Sequence, residues 1–267
     1  MLALLVSIAT LALGAPSPFE PAPLVASPTP GEPPPWTSLY LADCADRLEA
    51  LGYTPRHLTF SRWNHVRTLR RGYGRPPLRC YVPQPMTLRR APHGLAVFGH
   101  TYVNCAMAIA IARLEAVLQE VAREVFSRPA DSRPVAAVTH LGTYNCRSLR
   151  DDDRTSQHSF GNGLDLVGFE IRGVGFVTVA SHWHVRYPWH APASRFLRTL
   201  VARLRAEDAF TWVLGPDEGR GHWNHIHVDL APLRSGVPSP AFAALGLPSP
   251  PPPPVTNQGP PLPAKTP

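Results

Sequence analysis

Ser156-Gln157-His158-Ser159-Phe160-Gly161-Asn162-Gly163-Leu164-Asp165-Leu166 is the stretch from which the rest of the chain is best read. A histidine and an aspartate stand seven residues apart, and the glycines between them let the backbone turn sharply. Such a turn brings an imidazole and a carboxylate to one point. Both are ligand types that zinc accepts, at roughly 2.0–2.2 Å. The spacing alone is equally that of a glycine turn with an Asp cap. Residues 164–169 are apolar and β-branched, so the turn opens directly into a strand.

A second stretch, His222-Trp223-Asn224-His225-Ile226-His227-Val228-Asp229, supplies what the first lacks. On a strand, His225 and His227 project from the same face. His222 lies just before them, in a loop or turn. Three histidines in six residues are rarely needed for packing, because a buried imidazole must be paired. An exposed His-rich edge or adventitious metal binding is the plain alternative. Taken together, the two stretches offer a histidine, an aspartate and a further histidine as metal ligands, with spare histidines beside them. Three protein ligands leave a fourth position for water, the arrangement of a catalytic zinc. A spare histidine of this stretch has a pKa suited to passing protons. His182 and His184 form another alternating pair on a possible strand end and rank below this set. His57, His65, His93 and His190 stand among arginines or prolines and read as surface residues.

Outward from these motifs, apolar periodicity places helices at 38–51, with Leu41, Cys44, Leu48 and Leu51 in phase, and at 194–205. A longer helix is expected over 104–126, where Met107, Ile111, Leu114, Leu118, Val121 and Val125 form one stripe. Asn104 can cap it and Pro129 follows it. Strands are expected at 135–138, 174–180, 210–214 and 225–229. Residues 53–80, rich in arginine and aromatics, resist assignment. Helices and strands mix without a βαβ repeat, which predicts an α+β fold with an antiparallel sheet and flanking helices.

The ends differ from the middle. Residues 1–14 carry an apolar run suited to a secretory signal and too short to span a bilayer, although no Lys or Arg precedes it. Residues 15–35 and 247–267 are Pro-rich and read as an extended linker and a disordered tail. One domain is therefore expected over 36–246, exported to the periplasm or cell envelope. Lys+Arg exceed Asp+Glu by 26 to 19, giving a formal charge of +7. This suits acidic partners without choosing among them. Four cysteines without a C-x-x-C pair exclude a zinc ribbon. In an exported chain they favour disulfides, expected between sequence neighbours as Cys44–Cys80 and Cys105–Cys146.

Ser156-x-His158-x-x-Gly161-x-Gly163-x-Asp165 resembles the SxHxxGxAxD signature of the D-Ala-D-Ala metallopeptidases, and His225-x-His227 resembles their closing HxH. That group includes lysostaphin-like murein endopeptidases. From about 40 to 233 the chain more closely resembles the bacterial extensin-like C-terminal domain family. The marks are the Cys44/Cys80 segment, Gly142-Thr143-Tyr144-Asn145-Cys146-Arg147, Val213-Leu214-Gly215-Pro216 and the ending His222-x-x-His225-x-His227. The resemblance implies Zn2+ held by His158, Asp165 and His227, with His225 acting on the water or the developing oxyanion and His222 assisting. It implies substrate contacts from Arg147, Tyr144 and Ser156, although two residues are inserted in the Tyr-Arg-Ser segment. A planar guanidinium at Arg147 suits the carboxylates of wall stem peptides; a surface ion pair with Asp151, Asp152 or Asp153 is the alternative. Gly163 stands where Ala is usual, a change expected to preserve the loop.

The function expected on these grounds is zinc-dependent hydrolysis of amide bonds in peptidoglycan, by a monomer. A non-catalytic wall-binding module on the same fold is the alternative. An export signal and Pro-rich ends argue against nucleic acid as the partner, and no stretch beyond the signal is apolar enough to span a membrane.

Overall fold

The structure is a computed structural model that describes residues 40–61, 67–69, 78–149, 154–234 and 237–247. The expected signal, the Pro-rich linker, the tail from 248 and the acidic run 151–153 lie outside these residues. Helix α1 (Cys44–Ala50) is shorter than expected, while α2 (Cys105–Val125) matches the long apolar stripe. Enclosure of α2 extends to its polar Glu115 and Gln119. Glu115 accepts the backbone N–H groups of His93 and Leu95, and Gln119 exchanges two hydrogen bonds with the Val135 backbone. Both buried polar groups are thereby satisfied. Asn104 caps α2 by accepting the Met107 N–H at 2.8 Å, a contact typically worth about 1 kcal/mol.

The main sheet contains β1 (Ala96–Phe98), β2 (Val135–His140), β3 (Gly163–Ile171), β4 (Gly175–Thr178), β5 (Trp212–Leu214) and β6 (Ile226–Asp229). Its order is β5-β6-β3-β2-β1, with β4 on the far half of β3. All pairings are antiparallel except β1–β2, which is parallel. The fold is α+β, as expected. Smaller antiparallel pairings join Leu58–Phe60, Met86–Leu88 and Tyr102–Val103, and also Arg67–Leu69 with Leu78–Cys80; the last lies in the stretch that resisted assignment.

Two further helices follow β4. The expected strand 174–180 stops at Thr178, whose hydroxyl accepts the Ser181 N–H and starts α3 (Val179–His182). His182 therefore ends a helical turn, and the expected strand pairing with His184 is not formed. α4 (Ala191–Ala206) begins earlier than expected, with Pro192 in its first turn, where a missing N–H costs nothing. α2 packs on α4 and β2, and Phe196 of α4 meets Phe169 of β3 edge to face.

Alternation along β3 and β6 separates the core from a polar face. Leu164, Leu166, Ile226 and Val228 are buried in the core, while Asp165 and His227, on the alternate positions, lie on the opposite face. The β2–β3 register shifts where Thr139 pairs with Gly168 but His140 with Leu166. The extra residue, Val167, is a bulge that resets the alternation, so Phe169 and Ile171 return to the core.

The disulfides are Cys44–Cys105 and Cys80–Cys146, not the expected pairs of sequence neighbours. Cys44 opens α1 and Cys105 opens α2, and these helices pack together. Chain proximity was the wrong guide because each cysteine's nearest partner arrives through tertiary packing. Two disulfides are the chemistry of an oxidising, exported environment. Among the described residues, no helix is long and apolar enough to cross a membrane.

Candidate metal centre

His158 is carried by a single 3-10 turn, Gln157–Phe160, which Gly161 closes with φ 61°. A side chain at Gly161 would stand 2.8 Å from Val82 Cγ1 and 3.2 Å from the Asn104 backbone nitrogen, so only glycine fits. Two buried asparagines fix this turn. Asn104 donates from its amide to Phe160 O and Asn162 Oδ1, while its backbone N–H donates to Gly161 O. Asn162 donates to Gln157 Oε1 and Leu230 O. The turn is thus tied both to the start of α2 and to the residue after β6. Gly163 matters more than its place in the motif implies. A Cβ there would lie 3.1 Å from the His158 ring, so an alanine would press on the imidazole.

Asp165 and His227 are direct cross-strand partners in the β3–β6 register. Asp165 Oδ1 lies 2.8 Å from His227 Nδ1 and 3.2 Å from His158 Nε2, and the two ring nitrogens are 3.3 Å apart. Around a tetrahedral zinc with bonds of about 2.0–2.1 Å, ligand atoms stand about 3.3 Å apart. The donor set and its spacing therefore fit such an ion. Among the described residues this is the one group of three or more His, Cys, Asp or Glu side chains whose ligand atoms converge.

Electrostatics agree with that reading. Burial acts to raise the Asp165 pKa, but hydrogen bonds from His158 and His227 outweigh it and hold the carboxyl well below its ordinary range. Burial opposes charge on His227, yet Asp165 and Asp229 hold its pKa up to about 9. The site therefore gathers positive charge around a fixed carboxylate, which is what a metal ion replaces.

The remaining expected residues surround this cluster. His225 lies just before β6 rather than within it. Its Nε2 is 3.6 Å from Asp165 Oδ1, and its Nδ1 faces Asn224 Oδ1 at 3.0 Å. Burial pushes its pKa down, opposed by Asp165 and assisted by His227 and His158. The Arg147 guanidinium donates from Nη1 to Ser148 O at 3.2 Å. His222 stands with its ring 5.2 Å from His225 and 6.0 Å from His227, its pKa also lowered by burial. The Arg147 backbone donates to Ser159 Oγ and accepts from the Ser156 N–H, which stitches its loop to the His158 turn. Ser156 itself is buried at the start of that turn. Tyr144 packs edge to face on Tyr102, 5.8 Å away. His158, Asp165, His227, His225 and His222 are thus brought together, Arg147 joins them through its backbone bonds to the His158 turn, and Ser156 and Tyr144 sit in the surrounding framework.

Two residues without an expected role also belong here. Asp229 Oδ2 lies 3.1 Å from His227 Nε2. His140, at the end of β2, is held neutral by burial with a pKa near about 4, and its Nε2 meets Thr101 Oγ1 at 2.8 Å. Their signal in the sequence was faint. Asp229 shares the alternation of His225 and His227, and His140 shares that of β2.

The sequence profile described as "Extensin-like protein C-terminus" matches residues 60–237, two thirds of the chain and the whole of this site. The chain belongs to the extensin-like protein C-terminus family. No curated protein and no solved structure matches it. The extensin-like family span begins after Cys44, so the Cys80–Cys146 bridge falls within it while Cys44–Cys105 straddles its edge.

Proposed function

We propose that this extensin-like chain is an exported, zinc-dependent hydrolase of amide bonds in peptidoglycan peptide. The convergence of His158 Nε2, Asp165 Oδ1 and His227 Nδ1 carries the reading. It is the arrangement that the resemblance of the two motifs to D-Ala-D-Ala metallopeptidases implies. His158, Asp165 and His227 would hold a zinc ion, which would supply a Lewis acid and lower the pKa of water to about 7.

The chain's own groups divide the remaining work. The lowered pKa keeps His225 neutral near pH 7. With Nδ1–H donated to Asn224, its Nε2 is left as a proton acceptor on the site side. After accepting a proton, the same nitrogen is a donor to the oxyanion of an attacked amide. His222, neutral for the same reason, stands one ring further out. Arg147, whose Nη1 donates to Ser148 O, has its other guanidinium donors for a substrate carboxylate, of which stem peptides carry several. Exposed Leu141 and Trp223 adjoin the site, Leu141 through its backbone bond to Asp165 O, and give the peptide an apolar surface to lie on.

The test is zinc content by elemental analysis on the purified chain, wild type beside His227→Ala, followed by digestion of isolated peptidoglycan. One zinc per wild-type chain, lost in the variant together with released muropeptides, is expected. Stoichiometric zinc without product would instead favour a wall-binding module, and no zinc would overturn the ligand set.

A further inference from the structure

We propose that Asp229 is a positioning residue that selects the metal-binding tautomer of His227. The inference rests on the reading of His158, Asp165 and His227 as metal ligands. Strand alternation puts His227 and Asp229 on one face of β6, and the Asp229 side chain is 8% exposed. Both of its oxygens are engaged. Oδ2 stands 3.1 Å from His227 Nε2, and Oδ1 accepts the Ala231 N–H at 3.0 Å.

A carboxylate can only accept hydrogen bonds, so the contact with Oδ2 keeps a hydrogen on Nε2. The neutral ring then presents its lone pair at Nδ1, the atom that meets His158 and Asp165. The competing arrangement is close at hand. Asp165 Oδ1 is 2.8 Å from Nδ1 and draws the single hydrogen to that side, which would close the coordination direction. Asp229 opposes this from the other end of the ring. Carboxylate partners of ligating histidines act in this way on metal sites generally.

The carboxylate's second bond makes the idea testable. In Asp229→Asn, one amide oxygen must serve two donors, Ala231 N–H and His227 Nε2–H. If the oxygen turns to Ala231, the amide NH2 faces Nε2 and forces the hydrogen onto Nδ1. If it turns to His227, the NH2 faces the Ala231 N–H. Asp229→Ala removes the partner but imposes no tautomer.

Zinc affinity of the full chain is measured by competition with a chromophoric chelator. Asp229→Asn is expected to weaken binding roughly 10–100-fold, at least as much as Asp229→Ala, although it is the smaller change in shape. Wild-type affinity in Asp229→Asn, or Asp229→Ala clearly the weaker of the two, overturns the proposal and leaves the metal site standing. A wild type that takes up no zinc removes both. If Asp229→Asn does not fold, imidazole 15N NMR of the zinc-loaded wild type decides, with the His227 signals assigned by comparison with His227→Gln. Protonated Nε2 with metal on Nδ1 is expected, and the reverse overturns the proposal.

Discussion

His182 and His190 hold their rings 4.8 Å apart, closer than the 5.1 Å between His158 and His227. The first pair sits at the end of α3 and in the turn before α4, beside Tyr187 and Trp189, whose rings stack on one another in the open. His182 already uses Nδ1 on the Thr178 backbone. The second pair flanks Asp165 on a sheet face, with Asp229 behind it. Crowded imidazoles repel a common charge unless an acid stands among them. A buried carboxylate on the same face, rather than the density of histidines, marks the place for a cation.

The largest effect should come from taking that carboxylate away. Asp165→Ala removes a ligand atom and its charge together, so zinc affinity measured by chelator competition should fall beyond the roughly 10–100-fold typical of an outer partner. Undiminished affinity would break the comparison. A smaller effect concerns the metal-free protein. The folded pKa of His227, about 9, lies above its ordinary value of 6.5, so its contribution is complete below about pH 6.5 and lost as pH rises through 9. Thermal melts of chelated wild type should therefore show stability falling over that window, by at most about 1.4 kcal/mol per pH unit. His227→Gln should lack this alkaline decline, and an identical decline in the variant would assign it elsewhere. The smallest effect is expected from the other cluster. His182→Ala combined with His190→Ala should leave zinc stoichiometry unchanged and affinity within about twofold. Loss of a bound equivalent would show that the aromatic cluster is a site after all.

How much of this was legible in the sequence depended on the range of the interaction. The α2 stripe and the strands around Asp165 and His227 were readable because periodicity is local. The His158 turn was readable because glycines announce a chain reversal. The disulfides were not, since Cys44 meets Cys105 only after two helices pack. Strand expectations overran at Thr178 because a side-chain cap, invisible to hydrophobic pattern, won over β propensity. Asn104 could be read as a helix cap, but its second task, holding the His158 turn, exists only in three dimensions. Asn162 and Asp229 were hidden for the same reason: each is an ordinary polar residue until its partner arrives from a distant segment.

The pairing of Asp165 with His227 spans 62 residues of sequence yet is closed by a single rung of an antiparallel ladder. The intervening chain contributes no ligand. The exposed segments 184–189 and 217–220 hang from that rung as appendages do from a hinge pin. Insertions there are tolerated so long as the rung stays in register, since each doubling of loop length adds only about 0.6 kcal/mol. What such a chain grips can therefore be altered in its loops while the Asp165–His227 rung stays where it is.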